Sequence, residues 1–258
     1  LGFGGRAPGY VAATEEWNTG VAVGAWVTGG ALNVPRSEHA GSGTQTAALS
    51  FGGRNPVEGQ TETYNGTAWT SVNNMNNARA QLMGSGTQTS TLASGGEPAL
   101  TVTETWNGTN WTEVSDLNTG KYASGAAGVS NTSSLVFGGR TPPYTTTTES
   151  WDGSSWTEVN DMNTARGYLG GTGTKTAALA FAGRIAPGAA ISPAVTELWN
   201  GTNWTEVNDM NTVRRNLAGA GVTTSALAFG GFIPPTTGAT EAWNGSSWTT
   251  VGTMNIAR

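Results

Sequence analysis

The sequence predicts an all-β fold assembled from six copies of one antiparallel unit, and three observations carry that reading. First, an aromatic-Asn-Gly-Xaa-Xaa-Trp signature recurs: Tyr64 with Trp69, Trp106 with Trp111, Trp151 with Trp156 (around Asp152-Gly153), Trp199 with Trp204 and Trp243 with Trp248. An earlier copy, Trp17 with Trp26, is longer by four residues. Asn-Gly tolerates positive φ and turns a hairpin tightly, so each copy should set two large rings face to face across two strands. Second, a double glycine closes an apolar run before each hairpin, as in Phe51-Gly52-Gly53, Phe137-Gly138-Gly139 and Phe229-Gly230-Gly231, with Phe181-Ala182-Gly183 and Ser94-Gly95-Gly96 as variants. Third, the last glycines of successive copies stand 48, 43, 43, 44 and 48 residues apart, a period typical of propeller blades or solenoids.

Each period divides into the same elements. A small-residue inner strand comes first: Ala40–Gly43, Leu82–Gly86, Ser124–Gly128, Leu169–Gly173 and Leu217–Gly221. Glycine there permits crowding around an axis. After a polar turn comes an apolar second strand, Ser225–Phe229 in the last copy, that runs into the double glycine. A loop rich in Pro and Thr leads to a third strand (Glu241–Trp243), the Asn-Gly turn and an outer strand (Trp248–Val251). A connector of near-constant length then ends in a cation: Arg36, Arg79, Lys121, Arg166, Arg214 and Arg258. Nothing shows sustained helical periodicity. Six second strands and six hairpins meet only five inner strands. Either residues 1–258 were cut from a longer polypeptide, the reading preferred here because the chain opens on Leu1, or one unit has three strands.

Double glycine after an apolar strand, an aromatic residue, a second Trp and then Met-Xaa-Xaa-Xaa-Arg resembles the kelch repeat, as in the central domain of galactose oxidase. The resemblance covers essentially the whole chain. It implies a six-bladed kelch-type β-propeller of four-stranded antiparallel blades, with residues 1–258 as a single domain and one blade lacking its inner strand. Trp pairs would fill the wedges between blades. The copper chemistry of galactose oxidase does not carry over, because histidines and a cysteine-linked tyrosine are needed and this chain has one His and no Cys.

Composition narrows function. A formal charge of −5 with only two lysines argues against nucleic-acid binding. No apolar run approaches the ~20 residues that span a bilayer as a helix. His39 alone cannot build a triad or a histidine-rich metal site, and it reads as a solvent-side or capping residue. No cofactor and no metal is expected. The recurring glutamates Glu15, Glu62, Glu104, Glu149, Glu197 and Glu241 could be imagined as glycosidase carboxylates. A residue repeated at one blade position more naturally pairs with cations or caps amides. The basic column Arg36, Arg79, Lys121, Arg166, Arg214 and Arg258 reads as a structural ring, with Asp116, Asp161 and Asp209 as examples of nearby acids. Asn-Xaa-Ser/Thr sequons fall largely on the hairpin turns, where turn geometry alone explains them.

The expected function is therefore a non-catalytic binding or structural module of an extracellular or virion surface protein. Its partner would be a protein or cell-surface glycan, or other subunits of a larger assembly, without membrane insertion. The alternative is a glycan-binding lectin with a shallow site repeated per blade. Strand parity puts the variable loops after the double glycines at one end of every blade, together with the basic column and a second arginine set directly after the double glycines, Arg6, Arg54, Arg140 and Arg184, replaced by Glu97 and Phe232 in two copies. Tyr10, Tyr144 and Phe232 should be exposed there. An anionic or carbohydrate-bearing partner would meet Arg54, Arg140, Tyr144, Arg184 and Phe232.

Overall fold

The computed structural model describes residues 1–7, 9–19, 24–55, 59–185 and 193–258. Six antiparallel sheets stand in a ring. Blades 2 to 6 each hold four strands in meander order, inner to outer. Blade 4 is typical, with Gly125–Ser130, Ser133–Phe137, Thr148–Trp151 and Trp156–Val159. Blade 1 has three strands: Gly2–Phe3, Thr14–Asn18 and Ala25–Gly29. The other inner strands are Ala40–Thr44, Met83–Thr87, Gly170–Thr174 and Ala218–Val222. Four of the five inner strands start one residue later than the sequence suggests. Leu82, Leu169 and Leu217, the expected first residues of three of them, instead dive into the packing between blades.

The aromatic pairs form as expected, Trp106 opposite Trp111 and Trp199 opposite Trp204, with ring centroids 5.4 Å apart in both. The second Trp of each pair is the mortar between blades. Trp204 meets Phe137 of the preceding blade edge-on at 4.8 Å, and its indole N–H donates to the Thr148 hydroxyl at 3.1 Å. Trp248 repeats this with Phe181 and Thr196, and Trp26 with Phe229 and Thr240, which closes the ring from blade 6 to blade 1. The same Phe lies over the next inner strand. A Cβ on Gly171 would come within 2.8 Å of the Phe137 ring, so only glycine allows that approach.

The turns at the aromatic hairpins differ in detail from a two-residue Asn-Gly bend. Four residues separate the paired rings, and the Asn65 side-chain oxygen accepts the amides of Thr67 and Ala68 at 3.0 and 2.9 Å. Asn107, Asp152, Asn200 and Asn244 do the same. Asparagine is chosen as an acceptor as much as for its neighbour glycine.

Under the opposite end runs a ring of buried ion pairs. Arg36–Glu62, Lys121–Glu149, Arg166–Glu197, Arg214–Glu241 and Arg258–Glu15 lie at 3.0–3.3 Å, and Arg79 pairs with Glu104. Each glutamate also accepts a backbone N–H from the connector that carries its cation, as Glu104 does from Asn76 at 2.8 Å. The repeating glutamates therefore clamp the connector onto the third strand of the blade it enters. Asp116 and Asp209 do something else: they accept the amides of Thr103 and Thr196, while Asp161 accepts the Thr146 hydroxyl. The glutamates thus do what their repetition suggests, pairing with the cations and accepting connector amides, while the three aspartates named as nearby acids do not join the ring.

Candidate functional site: the cavity rim at the loop face

The two ends of the ring are chemically distinct. At one end the Asn-Gly turns sit beside the turns that join inner and second strands, Gly66 against Thr46 and Gly201 against Thr176. The double-glycine loops and the connectors gather at the other, which is called the loop face below. A central cavity of about 1220 Å³, lined by the inner strands along the axis, extends to this face.

Its rim has a regular backbone. Glu38, Gln81, Ala123, Tyr168 and Asn216 all hold left-handed φ values of 52–57° at equivalent positions. Four hydrogen bonds link them, each N–H donating to the carbonyl of the preceding blade: Gln81 N–H to Glu38 C=O, Ala123 to Gln81, Tyr168 to Ala123 and Asn216 to Tyr168, at 2.7–3.0 Å. One acid, two amides, one methyl and one phenol thus stand on the same frame. Strain at non-glycine residues persists only where the surroundings enforce it, and this relay is what enforces it.

Just outside the rim, the residue after each buried cation pairs across the backbone with the residue after the double glycine. These couples are Ser37 with Arg54, Tyr122 with Arg140, Gly167 with Arg184 and Arg215 with Phe232, and in blade 3 the Glu97 amide bonds the Ala80 carbonyl. Blades 4 and 6 use the same chemistry with the partners exchanged. The Arg140 guanidinium lies 5.7 Å from the Tyr122 ring centre, and that of Arg215 lies 4.6 Å from Phe232. In blade 5 the couple begins with Gly167, where a Cβ would meet the Tyr144 ring at 2.9 Å. Tyr144 thereby reaches across from blade 4 and meets Tyr168 edge-on at 6.4 Å. The hydroxyl of Tyr168 holds the Arg140 pKa up, while burial and then nearby Arg184 push that of Arg215 down.

The expected contact residues are brought together only in part. Arg140, Arg184 and Phe232 belong to this array, half-buried. Tyr144 is not exposed: it keeps 8% of its surface, because it fills the space over Gly167. Arg54 sits on the other side of the rim, between Glu38 (2.7 Å) and Glu97, which neutralise it. Tyr10 is exposed. Its neighbour Pro8 lies outside the described residues, as do residues 186–192 of the loop after Arg184. The basic ring lies beneath the loop face and is buried, so that face receives one arginine set and not two. His39 is half-buried along the cavity wall rather than turned out to bulk solvent. Its ring stacks on Phe3 at 5.4 Å, and burial, then Arg36, lowers its pKa to about 3. Tyr122, Tyr168 and Arg215 were not singled out from the sequence. The doubled Arg214-Arg215 was the available signal.

Chemically, the rim of blades 4 to 6 offers guanidinium groups on aromatic faces, beside phenols. Among the described residues no cluster of three or more His, Cys, Asp or Glu is placed to hold a metal ion. Among the described residues no helix is long and apolar enough to cross a membrane.

No protein family and no curated protein matches the sequence. Among solved structures, one titled "Structure of YjhT" is similar with a TM-score of 0.74, over 93% of this chain and 91% of that one, at 11% identity. That likeness establishes a six-bladed propeller fold, which suits a binding or structural module.

Proposed function

We propose that this chain is a non-catalytic, kelch-type binding module of an extracellular or virion surface protein, recognising an anionic or carbohydrate-bearing partner through the loop face. One observation carries the reading. A single repeated backbone couple holds arginine on three adjacent blades, at Arg140, Arg184 and Arg215, with aromatic rings beside it. On the opposite side of the rim the same position, Arg54, is neutralised by two glutamates. The face is therefore electrically lopsided, and Arg with aromatic neighbours is the composition enriched at binding hot spots. A catalytic reading lacks the asymmetric acid and base it would need: the six glutamates are equivalent, buried and paired. The repeated-site lectin is less well supported, because the tryptophans that would stack on sugars at each blade are buried between blades.

The test compares two variants against whole cells, glycan arrays and candidate proteins bound by the wild type. Arg140→Ala/Arg184→Ala/Arg215→Ala/Phe232→Ala should lose binding at least tenfold. Asn107→Ser/Asn200→Ser, on the opposite end, should retain it. The reverse outcome would place the partner on the turn face and sink the assignment.

A further inference from the structure

Arg215 shares the cavity wall with Arg6 and Arg258, and among these three it is the one stacked on an aromatic ring, that of Phe232. It lines the cavity together with Tyr168, Asn216 and Phe232. Phe232 covers one face of its guanidinium at 4.6 Å, which leaves the N–H edge as its binding surface. Among the described residues it forms no ion pair, and the charged or titratable groups that act on it are Arg184, Tyr144 and Tyr168, none of them a carboxylate. Tyr168 and Asn216 cannot swing away as a loop would, since the left-handed relay fixes both backbones. The axial cavity beside them, about 1220 Å³ along the whole length of the inner strands, exceeds the volume of most small-molecule sites, on the order of 300–1,000 Å³, so its mouth has room for a small ligand.

We propose that Arg215, Tyr168, Asn216 and Phe232 form a recessed site at the cavity mouth for a small organic anion carrying a ring. The anionic oxygens sit on the guanidinium edge, where a charge-assisted bidentate contact is available. The ring lies against Tyr168 and Phe232. Arg184 adds positive potential from the neighbouring blade. This deepens the loop-face reading, on which it rests, by naming the ligand class and the subsite.

The probes are benzoate and benzenesulfonate, with benzamide as the neutral analogue of the same shape, titrated calorimetrically into the whole chain. Benzoate should bind at least tenfold more tightly than benzamide, and its affinity should fall as sodium chloride is raised from 50 to roughly 500 mM. Arg215→Gln should weaken benzoate at least tenfold while Arg54→Gln leaves it unchanged. Should Arg215→Gln lower the melting temperature, Arg215→Lys serves instead. It keeps the charge, loses the flat edge, and should weaken benzoate severalfold. Tighter binding of benzenesulfonate than benzoate would fix the anion as a sulfonate or sulfate type and supports the site. Equal affinity for benzoate and benzamide, no binding of either, or undiminished binding by both Arg215 variants overturns it. If that happens while the loop-face variant still loses its partner, the binding module stands without this subsite. If benzoate behaves as expected but the partner is retained, the subsite stands and the module reading falls.

Discussion

Ala123 carries a left-handed backbone (φ 52°) that an L-residue adopts at a cost of about 1–2 kcal/mol. Its neighbours in the rim have side chains that interact with the cavity, whereas Ala123 contributes one methyl group. Ala123→Gly should therefore raise stability by about 0.5–1 kcal/mol in urea unfolding, the released strain outweighing the added freedom of the unfolded chain. His39 makes the opposite kind of statement. Its folded pKa of about 3 lies below the 6.5 of an ordinary histidine. Between those values the unfolded chain binds the proton and the folded one does not, so stability rises with pH there. The contribution is whole above pH 6.5 and is lost as the pH falls toward 3. Wild type should lose about 1–3 kcal/mol more than His39→Phe when urea midpoints at pH 4 and pH 7 are compared.

At the scale of the element, the most informative blade is the third. Elsewhere the pair between inner and second strands is small opposite large, Ala40 with Phe51, Gly125 with Phe137 and Gly170 with Phe181. Blade 3 reverses it, Met83 opposite Ser94. Volume is conserved across the pair, and the sequence alone shows only a missing phenylalanine. Ser94→Phe by itself should cost about 1–3 kcal/mol through overpacking, and adding Met83→Gly should recover most of it. Thermal melts of the single and double variants decide this, and an additive loss would refute the compensation. The buried pairs behave differently. Removing the acid of one, as in Glu104→Gln, leaves Arg79 uncompensated and should cost about 3–5 kcal/mol. Trp204→Ala should cost a similar ~3–5 kcal/mol, as a cavity between blades 4 and 5. What repeats in the chain was legible: the glycines, the ring pairs and the Asn turns announce strands wherever they recur. What escaped was whatever depends on which strand lies beside which. The cations and the glutamates were both visible as columns and their pairing was legible, but which glutamate serves which cation was not, because the connector folds onto the third strand of the blade it enters. Tyr122 and Arg215 escaped because exchanging partners across a backbone couple preserves the contact while breaking the column.

For the whole molecule, the consequence of the lopsided loop face is a directional encounter. An anionic partner should approach blades 4 to 6, and its association rate should fall with ionic strength while the fold barely responds to salt. Stopped-flow binding at two salt concentrations, beside melts at the same concentrations, separates the two effects. Blade 1, with three strands, is joined to blade 6 by Trp26 on Thr240 and by Asn255 and Arg258 on Glu15. Arg258 also reaches the carbonyl of Gly2 at 2.9 Å, which brings the first and last described residues side by side. Load applied to those two residues is thus not spread through the blades. It shears one junction, held by the Trp26, Phe229 and Met254 cluster and these polar contacts, and the circle should spring open there like a clasp while the blades themselves are still intact. A propeller of this build is a closed loop to its ligand and an open chain to a pulling force.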